Sequence, residues 1–125
     1  MTLHVFAVDD SRTIRAMLNL ALESAGFTVT LAEDGVDGLE KLTGLTPDVI
    51  ISDLNMPRMD GFGFIEAVRK DSAHAGLPIL VLTTESAPEL KARARALGAT
   101  GWIVKPFDQD RLIAAIRRVS GRALA

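Results

Sequence analysis

Short apolar runs recur along the chain, at Leu3 to Val8, Thr28 to Leu31, Val49 to Ile51, Ile79 to Leu82 and Trp102 to Val104. They are nearly unbroken instead of alternating with polar residues, which predicts strands covered on both faces, as in a parallel sheet. The stretches between them carry helical spacing. Ile14, Met17, Leu18, Ala21, Leu22 and Ala25 form an apolar stripe expected to lie on the sheet, with Gly26 ending that helix. A second helix over about 35–43 presents Val36, Leu39 and Leu42 and stops near Gly44 and Pro47. A third, over about 61–70, is expected to send Phe62, Ile65 and Val68 or Arg69 to opposite sides. A fourth, over about 87–97, opens with Pro88 and ends at Gly98. The last starts at Asp108 as N-cap and runs through Leu112, Ile113, Ile116 and Val119.

Strand and helix therefore alternate five times. That order predicts an α/β fold, a doubly wound parallel sheet with right-handed crossovers and helices on both faces. A chain of 125 residues suits one domain over residues 1–125. Only Ser120 to Ala125 follow the fifth helix, so no output domain is expected.

Composition narrows the chemistry. The absence of cysteine excludes disulfides, thiolate catalysis and zinc-thiolate sites. A formal net charge of −2 gives no global field to hold nucleic acid or an anionic membrane. The apolar runs are too short to cross a bilayer, and no positive segment precedes the first. A cytoplasmic monomer is the expectation. His4 and His74 are not spaced for metal binding and read as structural or surface residues.

In an open α/β sheet, ligands bind outside the carboxyl ends of the strands. Strand one ends in Asp9-Asp10, strand three in Asp53, strand four in Thr83-Thr84 and strand five in Lys105-Pro106. Three carboxylates at one edge repel each other, and Lys105 supplies a single countercharge, so the remaining charge calls for a hard divalent cation such as Mg²⁺.

Val8-Asp9-Asp10-Ser11, Asp53-Leu54-Asn55-Met56-Pro57-Arg58-Met59-Asp60-Gly61, Leu82-Thr83-Thr84 and Lys105-Pro106-Phe107 closely resemble, in order and spacing, the signatures of the response-regulator receiver family of two-component systems. The resemblance covers essentially the whole chain and implies the flavodoxin-like strand order 2-1-3-4-5. It implies that Asp53 is the phosphoacceptor, forming an aspartyl phosphate. Asp10, Asp53 and the backbone carbonyl of Asn55 are then the Mg²⁺ ligands, with Asp9 acting through metal-bound water. By the same resemblance Lys105 and Thr83 contact phosphoryl oxygens, Lys105-Pro106 is a cis peptide, and Asn55 and Glu85 influence the lifetime of the phosphoryl group. Thr83 and the strand-five aromatic, here Trp102, form the switch. The family usually has Tyr or Phe there, so Trp102 is a departure from its pattern.

The implied phosphodonor is a sensor histidine kinase. Lys91 and Arg95 on helix four, and Arg111, Arg117, Arg118 and Arg122 on or after helix five, form a candidate docking surface for an acidic partner. The segment from Thr83 to Phe107 looks like single-domain chemotaxis regulators, which implies a flagellar motor switch protein or another chemotaxis target, or a phosphate-sink role. Other readings stay open: a receiver fragment of a larger regulator or hybrid kinase, and, more distantly, a Mg²⁺-dependent aspartyl phosphohydrolase. A flavin carrier is disfavoured because Asp9-Asp10 would repel its phosphate.

Overall fold

The computed structural model describes residues 2–124, with side chains described through residue 120. Five strands, β1 (His4–Val8), β2 (Thr28–Ala32), β3 (Val49–Ser52), β4 (Ile79–Thr83) and β5 (Gly101–Val104), pair in parallel in the order β2-β1-β3-β4-β5. Five helices alternate with them: α1 (Arg12–Ser24), α2 (Gly35–Leu42), α3 (Gly61–Lys70), α4 (Pro88–Leu97) and α5 (Gln109–Leu124). This is the flavodoxin-like α/β sandwich that the sequence implied.

The strand side chains alternate between two cores, which explains why the apolar runs are unbroken. Val5, Ala7, Val49, Ile51, Leu80 and Leu82 meet Leu18 and Leu22 of α1 and Leu112, Ile116 and Val119 of α5. Phe6, Val8, Ile50, Ile79 and Val81 meet α2, α3 and α4 through Leu42, Phe64, Ile65, Val68 and Ala94. Each fully buried side chain of this size stabilises the fold by roughly 1.5–3 kcal/mol.

Three expectations fail. The fifth helix continues through Leu124, past the end expected before Ser120. Met17 is 45% exposed, because it sits at the margin of the α1 stripe, whose centre is Leu18, Ala21 and Leu22. In α3, Phe62, Phe64, Ile65 and Val68 all enter one core and do not divide between opposite sides. The cause is that α3 is flanked by α2 and α4, so a wider arc of it is covered than a helix lying alone on a sheet would bury.

The amino edge of the sheet, away from the strand carboxyl ends, is tied by polar contacts. The His4 amide donates to Asp48 Oδ2 at 2.7 Å. Arg69 donates to the carbonyls of Gly98 and Ala75, holding the end of α4 to the turn after α3. His74 is 6% exposed, with Nδ1 at 2.7 Å from Asp71 Oδ2 and Nε2 at 2.8 Å from the Leu45 carbonyl. Both partners are acceptors, so the ring satisfies both only as an imidazolium. The Leu45 carbonyl, against the effect of burial and with help from Asp71, holds the His74 pKa above its usual 6.5.

A raised imidazole pKa contributes stability that is full below pH 6.5 and is lost as pH rises through the folded-state value. Denaturant unfolding at about pH 6 and about pH 8.5 is therefore expected to show wild type losing stability on the alkaline side. His74→Gln should cost about 1–2 kcal/mol at the lower pH and flatten the profile. A wild-type profile no steeper than that of His74→Gln would remove this role.

Candidate functional site at the carboxyl edge of the sheet

The register sets the site. Val8 pairs with Ser52, so the residues that follow, Asp9 and Asp53, emerge side by side, and the Asp53 amide donates to the Val8 carbonyl at 3.0 Å. Across β4, Thr83 pairs with Val104 and brings Lys105 to the same edge. The Lys105–Pro106 peptide is cis.

Asp9, Asp10 and Asp53 place one carboxylate oxygen each within 4.8 Å of one another. Asp9 and Asp53 are buried, whereas Asp10 is exposed at the mouth. Lys105 Nζ donates to Asp9 Oδ2 at 2.6 Å and to Asp53 Oδ2 at 3.0 Å. The second oxygens are held by backbone: Asp9 Oδ1 accepts from the Ser11 amide and Asp53 Oδ1 from the Leu54 amide. Burial pushes the Asp9 carboxyl above its ordinary range, against the Lys105 hydrogen bond that favours its ionised form. Burial alone would lower the Lys105 pKa, but its bonds to Asp9 and Asp53 outweigh that and hold it in the ammonium form. One ammonium against three carboxylates leaves the oxygen-rich edge short of positive charge, a donor set that fits a hard divalent cation.

Thr83 is fully buried at the end of β4, and its Oγ1 accepts from the Glu85 amide at 3.3 Å. Trp102, half-buried against the α4 side of the sheet, donates from Nε1 to the Glu85 carbonyl at 3.0 Å. Asn55 is exposed and its side-chain amide donates to Glu85 Oε1 at 3.3 Å. Glu85 thus joins the Thr83 and Trp102 pair to Asn55. Gly61 is needed behind Asp53, because a β-carbon there would overlap the Asp53 carbonyl oxygen.

The basic residues divide. Arg111 and Arg118 line a groove of about 570 Å³ with Trp102, Ile103, Val104 and Pro106, and Lys91 and Arg95 lie on its α4 side beside Trp102. Arg117 instead lies over the Phe27 ring, so it does not join that surface. The Arg122 side chain lies outside the described residues. One pairing escaped the sequence reading: Arg58, in the loop after Asp53, binds the buried Asp34. Both residues sit in polar turn segments 24 positions apart, and nothing in their spacing announces the contact.

The likeness to known proteins follows the same residues. A model of the response regulator receiver domain matches residues 5–117. Protein PilG of Pseudomonas aeruginosa is 34% identical over 92% of this chain and 85% of its own. The DNA-binding transcriptional regulator NtrC of Escherichia coli is 39% identical over 91% of this chain, which spans about a quarter (24%) of NtrC. The chemotaxis response regulator CheY4 of Vibrio cholerae superposes with a TM-score of 0.90 at 49% identity, covering 95% of this chain and 99% of that one. With the strand order, the acidic edge and the family match over nearly the full length in agreement, the chain belongs to the response regulator receiver domains of two-component signalling.

Proposed function

We propose that the chain is a phosphorylation-dependent switch in which Asp53 takes a phosphoryl group from the phosphohistidine of a sensor kinase. The observation that carries this reading is the buried Asp53 carboxylate bonded to Lys105 inside a three-carboxylate edge. Receiver domains are signalling switches that take phosphate from histidine kinases, and their catalysis is limited here to the domain's own phosphorylation and dephosphorylation.

An Asp53 carboxylate oxygen attacks phosphorus as the P–N bond to the donor imidazole breaks; the P–O bond of an aspartyl phosphate forms and the imidazole leaves with its electron pair. Asp10, Asp53 and the Asn55 carbonyl would hold Mg²⁺, with Asp9 reaching it through water. Bound there, the ion supplies the positive charge that lets an anionic nucleophile meet an anionic phosphoryl group. Lys105 exchanges its Asp53 contact for a phosphoryl oxygen. The Thr83 hydroxyl turns to another and releases the Glu85 amide. Because the Glu85 carbonyl also holds Trp102, the loop between β4 and α4 and the indole then move together.

The output surface in this reading is the groove beside Trp102, whose Arg111, Arg118, Lys91 and Arg95 suit an acidic partner. The likeness to CheY4 favours a cytoplasmic chemotaxis role, with a flagellar motor switch protein as target or a phosphate sink as the simpler duty. The quarter-length overlap with NtrC favours a second reading, the receiver part of a larger regulator.

Intact-mass analysis with Mg²⁺ and acetyl phosphate is expected to show one added phosphoryl group on wild type and none on Asp53→Asn or in a chelator. Equal uptake by Asp53→Asn would overturn the assignment. In the same samples Thr83→Ala should accept the phosphoryl group while the fluorescence of Trp102, the single tryptophan, stays at its resting level. A wild-type-sized fluorescence change in Thr83→Ala would break the link from Thr83 to Trp102.

A further inference from the structure

We infer that Arg58 and Asp34 form a positioning clamp that sets the β3–α3 loop, and with it the Asn55 carbonyl, for a divalent cation; this rests on the metal reading proposed above. The loop from Leu54 to Asp60 leaves the sheet at Asp53 and returns at α3. Its neck is closed by the Gly61 amide donating to the Leu54 carbonyl at 2.8 Å, and its far side reaches the amino end of α2 through Arg58 and Met59.

Arg58 stands there with φ at 66°, the left-handed region. A residue other than glycine is strained in that conformation, and such strain persists only where its surroundings over-determine it. The guanidinium supplies the constraint: Nε lies 2.8 Å from Asp34 Oδ2 and Nη2 lies 3.0 Å from Asp34 Oδ1. This two-point fork fixes orientation as well as distance. Asp34 is 3% exposed and is anchored in turn, since its Oδ1 caps α2 by accepting from the Asp37 amide at 2.8 Å. Gly35 lets the loop lie directly on α2, because a β-carbon there would stand 2.8 Å from both the Met59 carbonyl oxygen and Met59 Cγ. The loop is therefore pinned at its neck and at Arg58, and Asn55 lies between the two pins.

The direction of the effect separates positioning from simple charge. Removing a cationic side chain would tighten cation binding if the loss of Coulomb repulsion alone mattered. Removing a positioning residue should weaken it.

Mg²⁺ binding is measured by titration calorimetry on wild type, Arg58→Gly, Asp34→Asn and the double variant. Glycine takes a φ of 66° without strain, and the Asp34→Asn side chain keeps an oxygen for the Asp37 amide, so each single change removes the fork and leaves the fold. Each single variant is expected to bind Mg²⁺ roughly 10-fold more weakly, as for other residues that orient metal ligands. The double variant should be no weaker than the singles, because both break one interaction. His74→Gln, which loosens the opposite edge, should leave the affinity unchanged while lowering the unfolding midpoint. Arg58→Gly binding as tightly as wild type, or more tightly, overturns the clamp. Asp10→Asn separates the two levels: if wild type takes up no Mg²⁺, or Asp10→Asn binds it equally well, the metal reading itself fails and the clamp falls with it.

Discussion

One ammonium group between two buried carboxylates is the contact around which the carboxyl edge is arranged. Lys105 Nζ reaches both Asp9 and Asp53, and it can do so only because β1 and β3 are neighbours at the centre of the sheet and β4 places the end of β5 within reach. The strand order thus converts residues from three separate strand ends into one electrostatic unit. That unit is incomplete: three carboxylates face one ammonium, with Asp10 at the open mouth. The edge keeps a shortage of positive charge that a divalent cation would make good.

The two edges of the sheet contrast in a physically consistent way. At the amino edge, His4, Arg69 and His74 bond to carbonyls and carboxylates that satisfy them, and these contacts serve the fold. At the carboxyl edge the charged groups are crowded and mostly of one sign, and beside them the buried Thr83 and Trp102 both bond to a loop residue, Glu85. Crowded like charges reduce stability, so their retention points to function and not to packing.

Much of this was legible in the residues themselves. Apolar runs covered on both faces located every strand, and the polar residues that end them are the ones the fold gathers at one edge. Met17 was misread because periodicity marks a stripe but not its margins, and Phe62 to Val68 because the width of a helix's buried arc depends on its neighbours. The shared role of Glu85 arises from a loop whose path follows from tertiary packing. The Asp34–Arg58 pair was invisible for a similar reason: two turns meet only after α2 and α3 have packed together. Trp102 is assigned by family likeness alone, and its bond to the Glu85 carbonyl is a contact that no spacing in the sequence announces.

Whether the acidic edge is held at a cost to stability is read from thermal unfolding of wild type and Asp10→Asn, each in a chelator and with Mg²⁺. Asp10→Asn is expected to melt higher than wild type in the chelator, because one repulsive charge is gone. With Mg²⁺ the wild type should gain stability, by about 2.7 kcal/mol at a hundred times the dissociation constant, while the variant gains little. A variant that melts lower in the chelator, together with a wild type indifferent to Mg²⁺, would contradict it.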